Sequence, residues 1–396
     1  MEEWRRCSIG SFGLVVTGAT PRTGDEESWG QGIPFITPSE IDYSLREPTP
    51  GRRLSLQGQK NMAGKVIPAN SVLFVCIGFS TGKVSFVRES VITNQQVNSV
   101  IPDPVTVDPL FVYYLLRFYA PCIRRTASGS TTPIVNKAQF QEFEVVVPGR
   151  GDQQAIAEVL GVLDDKIALN EQLREASLSL ASAHYEAVST GGEPKLIGDL
   201  ALLFDGPHAT PKKTETGPWF LSISSLKNGY LDLAESAHLS EEDFPRWTRR
   251  VQPEAGDVLF SYETRLGDAA LMPPGVRGGL GRRMALLRSK SKSVSGALLL
   301  HAYLCPAFQE EIKRRTVHGA TVDRLPLKEM PGWRIPLPAE GERERLSERL
   351  EALHATVTQT ANENRTLADL RDTLLPQLLS GKLRVRDAVR AVEEVV

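Results

Sequence analysis

Cysteine is scarce and scattered in this 396-residue chain: Cys7, Cys76, Cys122 and Cys305 include no C-x-x-C pair. Zinc ribbons and redox dithiols need that spacing, and a disulfide framework needs more cysteine in less chain. The four are read as reduced thiols of a cytoplasmic protein with no metal site. Long apolar runs are missing too. The longest clean stretch, Val72 to Phe79, falls far short of the roughly 20 residues a membrane helix requires. Residues 1–30 carry no charged-then-apolar signal pattern. No sign of charge dominates either: 46 Lys and Arg oppose 48 Asp and Glu, leaving a net charge of −2.

Catalytic motifs are equally absent. There is no Asn-Pro-Pro-Tyr or Asp-Pro-Pro-Tyr, the motif with which amino-methyltransferases hold a target amine. Gly78-Phe79-Ser80-Thr81-Gly82-Lys83-Val84 is one residue short of a phosphate loop and has Val where Ser or Thr must bind magnesium. It reads as a turn before a strand. Asp103 and Glu142-Phe143-Glu144 lack the nearby lysine of a nuclease core. Six scattered histidines suggest no nucleophile–base arrangement. No catalytic, cofactor-binding or metal-binding residue is expected.

What the chain does have is an internal repeat, the feature to establish before any fold is proposed. Ser128-Gly129-Ser130-Thr131-Thr132 leads to Val145-Val146-Val147-Pro148, and His318-Gly319-Ala320-Thr321-Val322 leads to Ile335-Pro336-Leu337-Pro338. Gly129 and Gly319, like Pro148 and Pro338, stand 190 residues apart. Ile156, Leu160, Leu163 and Ile167 keep that register with Leu346, Leu350, Leu353 and Val357. Val72-Leu73-Phe74 echoes Val258-Leu259-Phe260 at an offset of 186. The repeating unit is a whole domain plus a helix.

Within each copy, short β-prone runs alternate with Gly, Pro, Ser and Thr loops. The first copy shows Val72–Val75, Lys83–Val87 and Phe143–Val147, with one helical stretch near Leu110–Arg125. The second shows Asp257–Phe260, Arg334–Leu337 and a helical stretch from Ser295 to Arg315. This is an α+β pattern with strands in the majority. The expected boundaries are domains at 1–149 and 193–340, helices at 150–190 and 341–380, and a tail at 381–396.

The helices carry the clearest periodicity. Positions 156, 160, 163, 167, 170 and 174, then 346, 350, 353, 357, 360, 364, 367, 371 and 374, follow a four-three spacing averaging 3.5 residues. Each helix is expected to run roughly 30 residues, about 45 Å. Asn170 and Thr360 interrupt the two seams at matching places, which can fix register. Pro376 and Gly381 mark the expected end of the second helix. Helices placed equivalently after similar domains should pair antiparallel, holding the domains in a pseudo-two-fold arrangement.

Charge is not evenly spread. The helical segments hold the acidic excess, while residues 1–149 carry 14 basic and 13 acidic side chains and residues 193–340 carry 20 and 18. Local clusters stand out: Arg124-Arg125, Arg249-Arg250, Arg282-Arg283 and Lys313-Arg314-Arg315. Such clusters can neutralise phosphates. For any one of them a solvated surface is the simpler reading.

Gln153-Gln154-Ala155-Ile156-Ala157-Glu158-Val159-Leu160, with Leu163-Asp164-Asp165-Lys166-Ile167 and Asn170, resembles the central spacer of type I restriction-modification specificity subunits. Leu370-Arg371-Asp372-Thr373-Leu374-Leu375-Pro376-Gln377-Leu378-Leu379-Ser380-Gly381-Lys382-Leu383 resembles their distal spacer. Gly18-Ala19-Thr20-Pro21 and Gly206-Pro207-His208-Ala209-Thr210-Pro211 resemble the opening loops of their target recognition domains. The resemblance runs along the whole chain and implies a non-catalytic reader of double-stranded DNA. Each domain would contact one half of a split target, and the helices would set the gap and dock two methyltransferase (modification) subunits. Restriction motor-nuclease subunits would join them, with S-adenosylmethionine, ATP and Mg bound by those partners.

DNA contacts can be nominated by side-chain chemistry, since base edges are read by Arg, Lys, Asn and Gln and phosphates by Ser, Thr and amides. In the first domain these are Thr20, Arg22, Thr23, Asn94, Gln95, Gln96, Ser130, Thr131 and Lys137. In the second they are Lys212, Lys213, Arg265, Arg282, Arg283, His318 and Thr321. Gly281-Arg282-Arg283-Met284 stands where the first domain has its Asn-Gln segment, so the half-sites should differ. Gly129 and Gly319 read as backbone requirements. A protein-gripping scaffold built on two β-rich domains is the alternative function, and an enzyme of unrecognised type a third.

Overall fold

The computed structural model describes residues 4–22, 24–129, 132–189, 191–234, 236–319 and 322–396. Its chain forms two compact units: Met1–Leu169 with Glu363–Val396, and Asn170–Asn362.

The first unit contains strands β1 (Arg5–Ser8), β2 (Gly13–Thr17), β3 (Trp29–Ile36), β4 (Arg52–Leu54), β5 (Val66–Ile67), β6 (Ser71–Val75), β7 (Val84–Val87), β8 (Val91–Thr93), β9 (Val97–Pro102) and β10 (Glu144–Val147). Helices α1 (Leu56–Asn61), α2 (Pro109–Arg125) and α3 (Lys137–Glu142) lie among them, and α4 (Arg150–Ser189) follows. An antiparallel sheet has the order β2-β9-β6-β7, a second has β4-β3-β8-β5, and β1 pairs with β10. Strand β6 explains the layering. All five of its residues are buried, as an apolar run covered on both faces must be. Val72 and Phe74 face the core that includes α2, whereas Leu73 and Val75 join the cluster with Ile36 and Val91. The period of two thus sorts one strand's side chains into two cores. Asp108 starts α2 by accepting from Phe111 N at 2.9 Å, with Pro109 at the first helical position.

The second unit repeats the plan. Its strands are β11 (Lys195–Leu196), β12 (Ala201–Asp205), β13 (Thr214–Leu221), β14 (Leu226–Lys227), β15 (Tyr230–Leu231), β16 (Val258–Ser261), β17 (Ala269–Leu271), β18 (Gly278–Leu280), β19 (Met284–Ser289) and β20 (Arg334–Ile335). Its helices are α5 (Ile197–Leu200), α6 (Phe244–Trp247), α7 (Gly296–Leu304), α8 (Pro306–Arg315) and the first part of α9 (Glu340–Leu379). The sheet order β12-β19-β16-β17 and the β11–β20 pair match the first unit strand for strand. The helix expected over Ser295–Arg315 is broken. Cys305 is extended (φ −63°, ψ 149°) because the ring of Pro306 disfavours a helical residue before it.

Both long helices run 40 residues, about 60 Å, a third longer than their periodicity suggested. Pro376 does not stop α9; Gly381, at φ +69°, closes it. A short helix, α10 (Val385–Glu393), then returns Ala388 and Val392 to the first unit's core. The four-three seam is the buried face: Ile156, Leu160, Leu163, Ile167, Leu346, Leu350, Val357, Thr360, Leu367 and Leu374 are all buried. In the first unit Lys166 pairs with Glu363 at 3.2 Å, Asn364 Nδ2 donates to Ile167 O at 3.4 Å, and Arg371 reaches Asp164. Rising numbers on α9 meet falling numbers on α4, so the helices are antiparallel. In the second unit Ala181 and Tyr185 of α4 share a core with Leu346 and Leu350 of α9. The fold is α+β: two β-rich domains that share the topology of their main sheet, β4-β3-β8-β5 in the first giving way to the pairs β13-β18 and β14-β15 in the second, joined by an antiparallel pair of long helices.

All four cysteines are free thiols. Among the described residues there is no group of three His, Cys, Asp or Glu side chains able to hold a metal ion, and no helix long and apolar enough to cross a membrane.

Candidate nucleic-acid interface

Antiparallel pairing decides where the candidate residues go. In the order β2-β9-β6-β7, the register pairs Thr17 with Asn98, Val75 with Val97 and Phe74 with Val84. The turns after β2, before β9 and between β6 and β7 therefore lie at one end of the sheet. The loop that begins with Thr20 is stitched down by Gly18 N to Val97 O (3.1 Å) and Ala19 N to Thr93 O (2.9 Å). A Cβ on Gly18 would fall 2.2 Å from Asn94 O, so only glycine permits this approach.

At that end Thr20 Oγ1 donates to Gln95 Oε1 at 2.7 Å, and both side chains are exposed. Arg22 is also exposed. Asn94 differs. It is 7% exposed, donates to Gln96 Oε1 at 2.9 Å and accepts from Gln96 N at 3.1 Å, holding the turn that presents Gln95. The segment around Ser128 reaches the same end: Ser128 and Ile134 exchange backbone bonds, Gly78 N donates to Pro133 O and Val135 N to Cys76 O, each at 2.9 Å. Gly129 sits at φ +94°, and a Cβ there would lie 2.7 Å from Thr132 O, so it is a backbone requirement. Lys137 is exposed at the first position of α3, after the capping residue Asn136. Thr23, Ser130 and Thr131 lie outside the described residues.

The second domain assembles the same end from different chemistry. The turns after β12, before β19 and between β16 and β17 hold Lys212 and Lys213, Arg282 and Arg283, and Arg265. Val317 and Arg324 exchange backbone bonds as Ser128 and Ile134 do, and Leu325 N donates to Tyr262 O as Val135 N does to Cys76 O. A Cβ on Gly319 would lie 2.5 Å from Val322 O. Several cations here are already partnered: Arg283 with Glu263 (2.8 Å), Arg265 with Asp268, and His318 with Asp323 (3.1 Å). Lys212, Lys213 and Arg282 are exposed, and among the described residues none of them has an ion pair. Arg283 adopts φ +71° and is half-buried, whereas Arg282 beside it is exposed. Burial pushes the Tyr262 phenol up to about 12, helped by Asp205 and Glu263, so it stays a hydrogen-bond donor beside these cations. Thr321 lies outside the described residues.

Comparison with known proteins adds the decisive observation. Residues 1–176 match the family model described as type I restriction modification DNA specificity domain. Over 98% of the chain and 95% of the relative, the sequence is 22% identical to the type I restriction enzyme MjaIX specificity subunit of Methanocaldococcus jannaschii. It is 28% identical to the EcoR124I/EcoR124II specificity subunit of Escherichia coli over 41% of each chain. The crystal structure of the type I restriction-modification system S subunit from M. genitalium shares the fold, with a TM-score of 0.56, 17% identity and coverage of 95% of this chain and 96% of that one. The chain is thus similar along its length to type I restriction enzyme specificity subunits, and its first 176 residues match their DNA specificity domain.

In this chain the contacts between domain and helix are as differentiated as the loops. In the first unit Asp164 accepts from Tyr114 Oη and from Arg371 Nη1, both at 2.6 Å, and Arg371 Nη1 also donates to Ser44 O at 3.1 Å. Arg46 and Arg88 converge on Asp165 at 2.5 and 2.9 Å. In the second unit His301 and His354 face each other through Nε2 atoms 3.0 Å apart. Burial lowers their pKa values to about 3 and about 4, His354 adding to the effect on His301. Both are neutral imidazoles near pH 7.

Phe79 is missed when candidates are nominated by hydrogen-bonding chemistry. It is 83% exposed at the β6–β7 turn, the same sheet end as Gln95. Its only sequence signal is an aromatic between Gly78 and Gly82, both at positive φ.

Proposed function

We propose that this non-catalytic subunit reads a split double-stranded DNA target, with residues 1–149 and 193–340 as the recognition domains. The observation that carries the reading is the shared sheet end. In both copies the corresponding three turns, with the described parts of the loop 128–135 or 317–324, hold the described polar and cationic candidates at that end. Side chains of that type can hydrogen-bond base edges and neutralise phosphates. Thr20, Arg22, Gln95 and Gln96, with Thr23, Ser130, Thr131 and Lys137, form the first reading set. Asn94 supports it from below. Lys212, Lys213, Arg265, Arg282, Arg283, His318 and Thr321 form the second. An amide-rich set against an arginine-rich one favours different half-sites.

The helices at 150–190 and 341–380 act as the spacer, and 381–396 as a tail packed on the first unit. Two methyltransferase subunits dock on the spacer. Support comes from α4, where Val162 and Leu169 in the first unit, and Leu173 and Leu180 in the second, are exposed seven residues apart on a face separate from the buried seam. Apolar side chains so spaced form a stripe suited to a partner helix. Motor-nuclease subunits complete the restriction complex, and S-adenosylmethionine, ATP and Mg belong to those partners.

The test is a map of methylated adenines after co-expressing the chain with its methyltransferase subunit. A two-part consensus with a constant gap is expected. Methylation without sequence preference would sink the reading.

A further inference from the structure

Arg124 and Arg125 end α2 with exposed guanidinium groups, and among the described residues neither has an acidic partner. With Arg117, Tyr43, Thr81 and Gly82 they line a groove of about 640 Å³ whose walls include no carboxylate. Arg117 is held in place: it donates to Tyr113 Oη at 2.9 Å and pairs with Asp372 at 3.3 Å. Arg125 donates to Cys122 Sγ at 3.0 Å, which leaves its charge unanswered. Two of the three arginines are thus uncommitted.

The groove's position gives it a purpose. Thr81 and Gly82 belong to the β6–β7 turn, at the sheet end that carries Gln95 and Phe79. Helix α2 runs on into the Ser128–Val135 segment, which is bonded to Cys76 and Gly78 at that same end. A basic groove therefore adjoins the reading cluster. The second domain treats the equivalent helix differently. There α8 neutralises its own cations one turn back: Lys313 pairs with Glu310 at 2.7 Å, Arg314 with Glu311, and Arg315 with Glu311 at 2.8 Å.

Resting on the reading of these domains as DNA readers, we propose that this groove binds the phosphodiester backbone of DNA flanking the first half-site. The first domain would then grip phosphate more heavily than the second. Guanidinium forks match phosphate oxygens two at a time, and a groove lined by one sign of charge concentrates its counterion. Phosphate contacts carry no sequence information. The groove sets affinity and leaves the target unchanged.

The experiment uses the assembled complex with methyltransferase subunits, comparing the unaltered chain with Arg124→Ala/Arg125→Ala and Arg124→Lys/Arg125→Lys. Binding to target and non-target duplexes is titrated with salt. The alanine variant should weaken both duplexes alike, keep the target preference, and flatten the log–log salt slope by about 2, roughly one for each phosphate no longer neutralised. The lysine variant should keep the slope. An unchanged slope with the target still preferred overturns the groove and leaves the DNA reading intact. Failure of the alanine variant to co-purify with the methyltransferase subunit would make the occupant protein. A lowered melting temperature with an unchanged slope would make the arginines structural. If even the unaltered complex prefers no duplex, the reading itself fails.

Discussion

Asp164 and His354 hold the same place in the two copies of the repeat, 190 residues apart, and each meets a ring from the neighbouring helix. Asp164 accepts from Tyr114 Oη at 2.6 Å, and His354 faces His301 at 3.0 Å. Tyr114 and His301 are themselves equivalent, six residues beyond the capping residues Asp108 and Ser295. Arg371, which completes the first cluster, has Ala181 as its equivalent in the second. One architectural joint is thus built once from buried charge and once from neutral imidazole.

The charged version should be intolerant of half-removal. Arg371 and Asp164 are each 1% exposed. Burial alone would lower the Arg371 pKa; the charges of Asp164 and Asp372 raise it instead. Arg371→Met strands a buried carboxylate and should cost about 3–5 kcal/mol. Arg371→Met with Asp164→Leu should recover most of that, because an apolar pair of similar volume has no charge to desolvate. Urea unfolding of the three proteins decides the matter, and a single variant less than about 1 kcal/mol down would show that the pair contributes no more than a surface bridge.

The neutral version makes stability depend on pH. All six histidines fall within Asn170–Asn362, so the first unit has none. The folded pKa values of His301 and His354 lie at about 3 and about 4, below the unfolded value near 6.5. The unfolded chain therefore binds more protons between these limits. The stabilisation is complete above about pH 6.5 and is lost as pH falls through about 4 and 3, by up to about 1.4 kcal/mol per pH unit for each histidine. Hydrogen exchange at pH 7 and pH 5 should show α7 and the first half of α9 opening, while α2 and the second half of α9 stay protected. His301→Phe with His354→Leu should remove the difference. Equal acid sensitivity of the two units would refute the assignment.

The repeat and the antiparallel helices were legible because each rests on local pattern. The period of 3.5 in α4 and α9 survives any tertiary context, and Gly129 and Gly319 announce close backbone approaches. What the sequence hid is what long-range packing decides. Asn94 and Gln95 are adjacent and chemically alike, yet the β8–β9 turn buries one and exposes the other. Arg282 and Arg283 are identical, yet the first is exposed while the second, at φ +71°, is half-buried against Glu263. Arg371 sits on an apolar seam because Asp164, 207 residues earlier, receives it. The broken helix at Cys305 was readable from Pro306 and was masked by the apolar run before it.

Those neighbours give a paired prediction. Gln95→Ala should leave stability unchanged and relax the preference at one position of the first half-site. Asn94→Ala removes a buried amide with both bonds made and should cost about 1–3 kcal/mol, weakening first-half recognition as a whole. Arg282→Ala should act only on the second half. Methylation maps of the three variants, each beside a thermal melt, separate the outcomes. A change at the second half-site on altering Gln95 would contradict the division of labour.

The spacer prediction turns on helical phase. Four residues inserted into α4 between 155 and 185 add about 6 Å, nearly two base pairs at about 3.4 Å each. They rotate the following face by about 40° beyond a full turn, a drift that a coiled-coil seam can absorb by local unwinding. The half-site sequences should persist while the gap between them grows. Two residues inserted at the same place rotate the seam by about 200°. Ala181 and Tyr185 would then face solvent, and the second unit would lose its grip on Leu346 and Leu350. That variant should fail to assemble at all. Methylation maps of both insertions provide the test, because a passive linker would tolerate two residues as readily as four, and a spacer made of packed helices cannot.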